Sequence, residues 1–526
     1  MNIGLYLSES NGEVSQVIDL NKLAGEYGDL PAVKVFDNIF KSRSINQIKV
    51  DIASNKLDGV VIAGESPHYY KTNREADFII KEIEASGVNL NRIGFANIRE
   101  QAAFPHKNDS GAAYAKAKLL IDVAMEKVRH SQQLETIEFP PKRKVAVVGV
   151  TIEGAMVAER LLSHGYRVYL IDKEPKARIS EEEMSQLRTS IGYILGHKNL
   201  KVLSETTIDE LIGHEGDFVL TVDKNGQTEQ LPVGAVVITA GDDSSYINDL
   251  RSVFYLDVDE NGSLRPVNRD TMVTTTLRHG IFMVPVTGEL GFKAAYADSA
   301  ALNVISILDA DEVIFEVPVS QVNERLCGGC GTCIKTCMFK ASSIDESKRL
   351  AHVDVMRCRG CGNCVTSCPT GARDLLTYPT KYLHAAIEIL ADYPSKGDPK
   401  LLFLLCESCG YPSLDYAGTS GMEYPASILP LGVKCGARID TQLILEAFAK
   451  GFDGVIIGKC KEDRCQNLVG SVDLDRRANL FREILRSRGI NSERLRIVGL
   501  DGCESGKAAD EAGAFFKDLK AMEVVV

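Results

Sequence analysis

The sequence predicts a multidomain α/β protein, and three observations carry that reading. Apolar strand-like runs alternate with helical patterns at both ends of the chain. A strand, glycine turn, helix and second strand follow one another from Val145. All 14 cysteines fall after residue 326, in and beyond a compact Cys/Gly-rich block. A chain of 526 residues has room for several domains at about 150 residues each, and 44% hydrophobic with 25% charged residues is the composition of folded domains with sizeable cores. A net charge of −12 disfavours binding to a phosphate backbone, so nucleic acid is not an expected partner. Nowhere do roughly 18 apolar residues run together, so direct membrane insertion is not expected. The first residues lack the pattern of a secretory signal. A cytoplasmic location is expected, with any membrane association made through a partner.

Residues 1–138 read as a first α/β domain. Ile3–Leu7, Gly59–Ala63 and Ile93–Phe95 are strand runs, and Ala112–Val128 closes the domain as an amphipathic helix. The stretch from Phe139 to Lys144, with two prolines, is a short linker. Residues 144–318 begin with a buried strand (Val145–Val148), a turn (Gly149–Gly154), a helix (Ala155–His164) and a strand (Arg167–Ile171) that ends at Asp172. Phe218–Leu231 forms a hairpin about Asn225-Gly226, a dipeptide suited to a type I′ turn. Residues 319–380 hold the Cys/Gly-rich block. Residues 398–526 alternate strands (Leu401–Leu405, Val455–Ile457, Leu495–Val498) with helices (Thr441–Ala449, Arg476–Arg488, Ala508–Ala521).

The cysteine spacing carries the chemistry. Cys327-x2-Cys330-x2-Cys333-x3-Cys337 precedes Cys358-x2-Cys361-x2-Cys364-x3-Cys368-Pro369, the spacing of bacterial two-cluster ferredoxins. Each tight loop supplies three thiolates to one [4Fe–4S] cluster, and the fourth cysteine starts a helix pointing at the other. Cluster I is therefore assigned to Cys327, Cys330, Cys333 and Cys368, and cluster II to Cys358, Cys361, Cys364 and Cys337. Structural zinc needs only four ligands, commonly as two separated CxxC knuckles, and does not account for two complete runs. Met338 stands where a proline is usual. Positive charge at Lys335, Arg359 or Lys461, each beside a ligand cysteine, would raise a cluster potential, or is solvated surface charge.

Cys406-x2-Cys409, Cys435 and Cys460-x4-Cys465 are spread over the last domain. LLFLL precedes Cys406 and GVIIG precedes Cys460, so a parallel sheet brings these thiols to its carboxyl edge. Zinc and iron–sulfur are both served by such a set. The runs CESCGYPSLD, YP, KCGARID and GFDGVIIGKCKEDRC resemble the delta subunit of methyl-viologen-reducing hydrogenase. The resemblance implies a [2Fe–2S] cluster on four of these five cysteines and a link between hydrogenase and heterodisulfide reductase. It also includes Arg438 and Asp440, implied to shape the local structure. Gln466 replaces a histidine usual in the family, and Cys503 reads as a free buried thiol.

Val145–Pro175 has the architecture of an adenine-dinucleotide site. Gly149 serves the turn, Gly154 the helix–strand packing, and Asp172 a ribose hydroxyl, while Thr151 replaces the glycine that lets pyrophosphate approach. Together with ANIREQ (Ala96–Gln101), this region resembles the flavin-bearing A subunit of heterodisulfide reductase. The fusion to a delta-like tail is similar to the B subunit of quinone-interacting oxidoreductase. The resemblance implies FAD, with Gly241 at a second flavin contact. Pro285 stands where a glycine near the isoalloxazine is expected, and Ser8-Glu9-Ser10 and Glu65 stand at family cysteine positions, so the cluster those would hold is not expected. The stretch from Gly154 to Ile281 is too short for an inserted second Rossmann domain, so NAD(P)H is not expected.

Two readings stay open. In one, electrons pass between a C-terminal [2Fe–2S] site, two [4Fe–4S] clusters and FAD. In the other, the chain is a flavin-free conducting and scaffolding subunit beside a separate flavin subunit. Flavin-based bifurcation requires a tight isoalloxazine environment, and those contacts are the altered ones. Expected partners are other subunits of an electron-transfer complex: heterodisulfide-reductase-like, hydrogenase, formate dehydrogenase or quinone-interacting. No HExxH, GxSxG or Cys/His dyad marks a hydrolytic centre.

Overall fold

The computed structural model describes residues 1–526 apart from 73, 135, 181, 183–193, 241–242, 255, 257, 259–261, 267–272, 277, 286, 317–319, 356, 466, 468, 490, 503 and 523–526. Two compact units result, Met1–Glu135 with Pro318–Val526, and Thr136–Val317.

The first unit contains two parallel four-stranded sheets of the same topology. Ile3–Ser8, Ala32–Phe36, Gly59–Gly64 and Ile93–Asn97 lie in the order second, first, third, fourth. Leu401–Cys406, Ile428–Val433, Gly454–Cys460 and Leu495–Leu500 repeat that order. The first and third strands of each sheet are buried at every position, as strands covered by helices on both faces must be. Hence their near-continuous apolar sequences. This order makes a topological switch point at the carboxyl ends of the first and third strands, where neighbouring crossovers leave in opposite directions and open a crevice.

The Cys/Gly-rich block lies between these sheets in sequence. It consists of two short antiparallel ladders, Ser320–Val322 with Arg373–Leu375 and Ser342–Asp345 with Leu350–Val353, and two one-turn helices, Thr332–Thr336 and Asn363–Thr366. One apolar core joins it to the rest of the unit. That core includes Leu119 and Val123 of the helix Ser110–His130, Val365 and Leu375 of the block, Tyr382, Leu383 and Leu390 of the helix Thr380–Ala391, and Leu404, Leu431 and Ile457 of the last sheet. Each fully buried leucine or isoleucine of such a core stabilises it by about 1.5–3 kcal/mol.

One local expectation is corrected. The fourth cysteine of each run does not open a helix: Cys337 terminates Thr332–Thr336, and Cys368 follows Asn363–Thr366. The turn carries the third cysteine instead. Pro369 disfavours helical backbone at Cys368, and each turn opens on a glycine with positive φ, Gly331 or Gly362.

In the second unit, Ile281–Met283, Ala235–Ile238, Lys144–Val148, Arg167–Ile171 and Leu200–Leu203 form one parallel sheet in that order. The helices Ile152–Ser163 and Leu290–Leu308 supply apolar side chains to one core beside it. Thr207–His214, Asp217–Lys224 and Gln227–Val233 make an antiparallel ribbon. Its tight turn places Asn225 and Gly226 at φ 54° and 82°, as a type I′ turn requires. Among the described residues no helix is long and apolar enough to cross a membrane.

Candidate metal centres

The last sheet gathers five thiols at its switch point. Cys406 and Cys460 are the terminal residues of the first and third strands, and Cys435 follows the second. Cys409 precedes the helix Gly410–Thr419, and Cys465 ends the one-turn Glu462–Arg464. All five are buried, with Cys406 Sγ 3.5 Å from Cys460 Sγ. Cys435 bonds to Cys406 and Cys465, and Cys460 to Cys406, Cys409 and Cys465. The network polarises the set. Bonds from Cys435 and Cys460 hold Cys406 and Cys465 well below the ordinary thiol range, while the same bonds push Cys435 and Cys460 above it. Thiolate is the form that binds metal. Gly470 opens the helix Gly470–Ser487, and a Cβ on it would lie 2.8 Å from Cys435 Sγ and 3.4 Å from Cys465 Sγ, so this helix meets the thiols only through a glycine. No three His, Cys, Asp or Glu side chains among the described residues are arranged to hold a single metal ion; the thiols touch one another. A buried all-sulfur set whose thiols touch one another has the donor chemistry of a soft iron–sulfur centre.

In the ferredoxin-type block, Cys337 is brought among Cys358, Cys361 and Cys364, with electrostatic reach to the first two. Burial pushes the Cys358 and Cys361 thiols up. Cys333 is likewise raised by burial and lies within reach of Cys327 and Cys364. Cys330, which is exposed, is lowered by its hydrogen bond with Thr332 (3.3 Å). At Cys368 burial acts upward, but bonds from the Thr370 hydroxyl and the N–H groups of Thr370, Ala372 and Arg373 outweigh it. Backbone N–H groups also reach sulfur from Ala341 to Cys337 (3.3 Å) and from Ala351 to Cys327 (3.4 Å). These thiols fit iron–sulfur clusters, whose sulfurs accept such bonds.

Three arginines whose place the sequence does not reveal stand beside these thiols. Arg373 is buried; its Nη2 donates to Cys364 Sγ and to Ser342 Oγ, both at 3.4 Å, and its charge reaches Cys333. Arg438 is fully buried and faces Cys364. Arg477 faces both Cys435 and Cys361. Of the cations singled out from sequence, Lys335 is exposed and Lys461 is bound to Glu504 at 2.6 Å. A lone arginine in a sequence reads as surface charge, so no signal marked Arg373 or Arg477.

The glycine turn of the second unit keeps its shape. Gly149 has φ +116°, and a Cβ there would fall 2.4 Å from the Thr239 carbonyl oxygen; on Gly154 it would fall 2.2 Å from the Gly149 oxygen. Both contacts a dinucleotide needs are already taken. Thr151 Oγ1 accepts from the Gly154 N–H at 3.1 Å, the helix-terminal donor a phosphate would use, and donates to the Thr239 carbonyl at 3.0 Å. Asp172, fully buried, accepts from the Val150 N–H at 2.7 Å and pairs with Arg178 Nη2 at 3.0 Å. Arg178 also donates to the Ala240 carbonyl. As they stand, these residues do not fit pyrophosphate and ribose. Gly241, Gln466 and Cys503 lie outside the described residues.

At the equivalent switch point of the first sheet, oxygen replaces sulfur. Ser10 Oγ donates to Glu65 at 2.7 Å, Tyr70 donates to the other Glu65 oxygen at 2.6 Å, and the Ser10 N–H donates to Ser8 Oγ at 3.2 Å.

The delta subunit of methyl-viologen-reducing hydrogenase matches as a family over residues 401–523, and a 4Fe-4S dicluster domain over residues 326–372. The A subunit of the ferredoxin:CoB-CoM heterodisulfide reductase of Methanosarcina mazei is 30% identical over 232 residues, covering 44% of this chain and 29% of that one. The chain thus spans less than a third of that relative's length. The iron-sulfur D subunit of the F420-non-reducing hydrogenase of Archaeoglobus profundus is 33% identical over 125 residues, 24% of this chain and 91% of that one. A superposition on the crystal structure of Thermovibrio ammonificans THI4 covers 32% of this chain and 90% of that one at 13% identity. Its TM-score of 0.26 is too low to bear on fold or cofactor. Through residues 401–523 this chain belongs to the methyl-viologen-reducing hydrogenase delta subunit family, and a 4Fe-4S dicluster domain precedes that region at residues 326–372.

Proposed function

We propose that this chain is an electron-conducting iron–sulfur subunit of a heterodisulfide-reductase-like complex, holding two [4Fe–4S] clusters and one [2Fe–2S] cluster. The observation that carries it is that two complete four-cysteine runs and five touching, buried thiols occupy one compact unit. When bound, the clusters supply one-electron chemistry. The chain's own residues provide thiolate ligands, exclude water from the C-terminal site and place buried guanidinium groups beside the sulfurs. Partners are proposed to be subunits of the heterodisulfide reductase and hydrogenase kind, after the names of the relatives.

The flavin-free form of this role is favoured by the partners of Asp172 and Thr151. The retained Gly149 and Gly154 geometry favours the flavin-bearing form. Anaerobic purification, denaturation and chromatography of released FAD decides between them. Essentially no FAD with about ten irons per chain supports the conductor; one FAD per chain supports a flavin subunit; absence of iron overturns both.

A further inference from the structure

We propose that cluster II, held by Cys358, Cys361, Cys364 and Cys337, is the electron partner of the C-terminal thiol centre, and that Arg477 is the positioning residue that joins them. This junction presupposes the conducting role above and adds which cluster meets the C-terminal centre.

The turn Asn363–Thr366 sits inside the second cysteine run, and the turn Gly436–Arg438 follows Cys435 directly. Arg477 Nη1 donates to Asn363 Oδ1 at 3.0 Å, and its Nη2 donates to the Ala437 carbonyl at 2.9 Å. Thr366 Oγ1 donates to the same carbonyl at 3.1 Å, and Asn363 Nδ2 to Asp473 at 2.6 Å. One guanidinium therefore spans a side chain two residues past Cys361 and a carbonyl two residues past Cys435. Its charge faces both cysteines.

The approach is close. A Cβ on Gly362 would lie 2.7 Å from Arg438 Cδ, so the loop of cluster II meets this turn with no room for a side chain. Arg438 donates to Thr380 Oγ1 at 2.7 Å, while its Nε and Nη1 have no hydrogen-bond partner. Asp374 and Asp440 lie 3.6 and 3.7 Å from its guanidinium and compensate the buried charge. The same guanidinium faces Cys364 of the second run, where its charge favours added negative charge. Among the described residues, the hydrogen bonds between Arg477, Ala437 or Asp473 and the ferredoxin-type block all involve Asn363 or Thr366, within the second run. In the transfer one electron leaves the reduced C-terminal centre and one enters oxidised cluster II; no bond forms or breaks and no proton moves.

The test is an EPR-monitored redox titration of the full-length reconstituted protein carrying Arg477→Gln or Arg477→Lys, with iron content measured alongside. Arg477→Gln is expected to lower the potentials of the C-terminal centre and cluster II, with a tenfold smaller reduced fraction at fixed potential, about 59 mV for one electron. Cluster I stays in place, and Arg477→Lys retains the native values. A shift confined to cluster I, or none, overturns the junction. A second measurement leaves Arg477 intact: in the fully reduced protein the relaxation of the two-iron signal is expected to be accelerated in Cys330→Ala, with loss of cluster I checked by iron content, and not in Cys361→Ala, with loss of cluster II checked in the same way. The converse overturns the proposal. Protein without iron–sulfur signals would instead refute the conducting role itself.

Discussion

On the proposed cluster assignment, replacing Arg373 with methionine should make both four-iron clusters harder to reduce, and that of Cys364 more so. The side chain is buried, and Nη2 lies 3.4 Å from Cys364 Sγ. A unit charge at that distance interacts with another by about 5 kcal/mol at an effective dielectric of about 20. An added electron is spread over a whole cluster, which reduces the term to about 2–3 kcal/mol at the same dielectric. At about 60 mV per 1.4 kcal/mol for one electron, this is a negative shift of roughly 90–130 mV. Cys333, which the charge reaches without a hydrogen bond, should shift less. Stability should change little, by about 1–2 kcal/mol at most, because methionine also removes Nε and Nη1, two buried donors without hydrogen-bond partners. Potentiometric titration followed by EPR reads both clusters in one experiment. A shift below about 20 mV would mean that solvent or counter-charge screens this site far more than an effective dielectric of about 20 allows, and the electrostatic account of the buried arginines would be wrong.

Gly470→Ala should cost the proposed C-terminal centre about two irons per chain while the signals of the two proposed four-iron clusters persist, since the new methyl group collides with Cys435; iron analysis with EPR checks it. Thr151→Ala should destabilise the second unit by about 1 kcal/mol through loss of the helix cap, read as a lower denaturation midpoint with unchanged iron content. Asp415 is held well above the ordinary carboxylate range, first by burial and against its bond with Ser66. A raised carboxyl stabilises the fold below its unfolded pKa, and that contribution disappears as pH rises through the folded value. Asp415→Asn, which keeps the bonds to Asn97 and Gln101 within reach, should therefore gain more stability relative to the wild type at pH 8 than at pH 5. Anaerobic urea unfolding at both pH values would refute this if the two proteins ran parallel.

Short-range patterns were the readable part. Asn225-Gly226 announced its turn because positive φ at two successive positions restricts residue type. The two cysteine runs were legible because a cluster loop has a fixed length, which the chain must match locally. Cys406 and Cys460 could be brought together because each follows a strand, and parallel strands end on the same edge of a sheet. The helix expected at the fourth cysteine failed on an equally local ground, the backbone demand of Pro369 and of the glycines that open each turn.

By itself, then, the sequence determined which cysteines share a loop and which strands deliver the others to one sheet edge, because both follow from spacing along the chain. Only the tertiary structure decided how the charges and loops around them are used. Arg178 engages Asp172, Arg373 meets Cys364, and Arg477 joins Asn363 to Ala437 across more than 70 residues of sequence. Long, flexible cations leave no periodic or spacing signal. Their partners are set by which surfaces the packed sheets and the shared core bring face to face, and that depends on the whole chain at once.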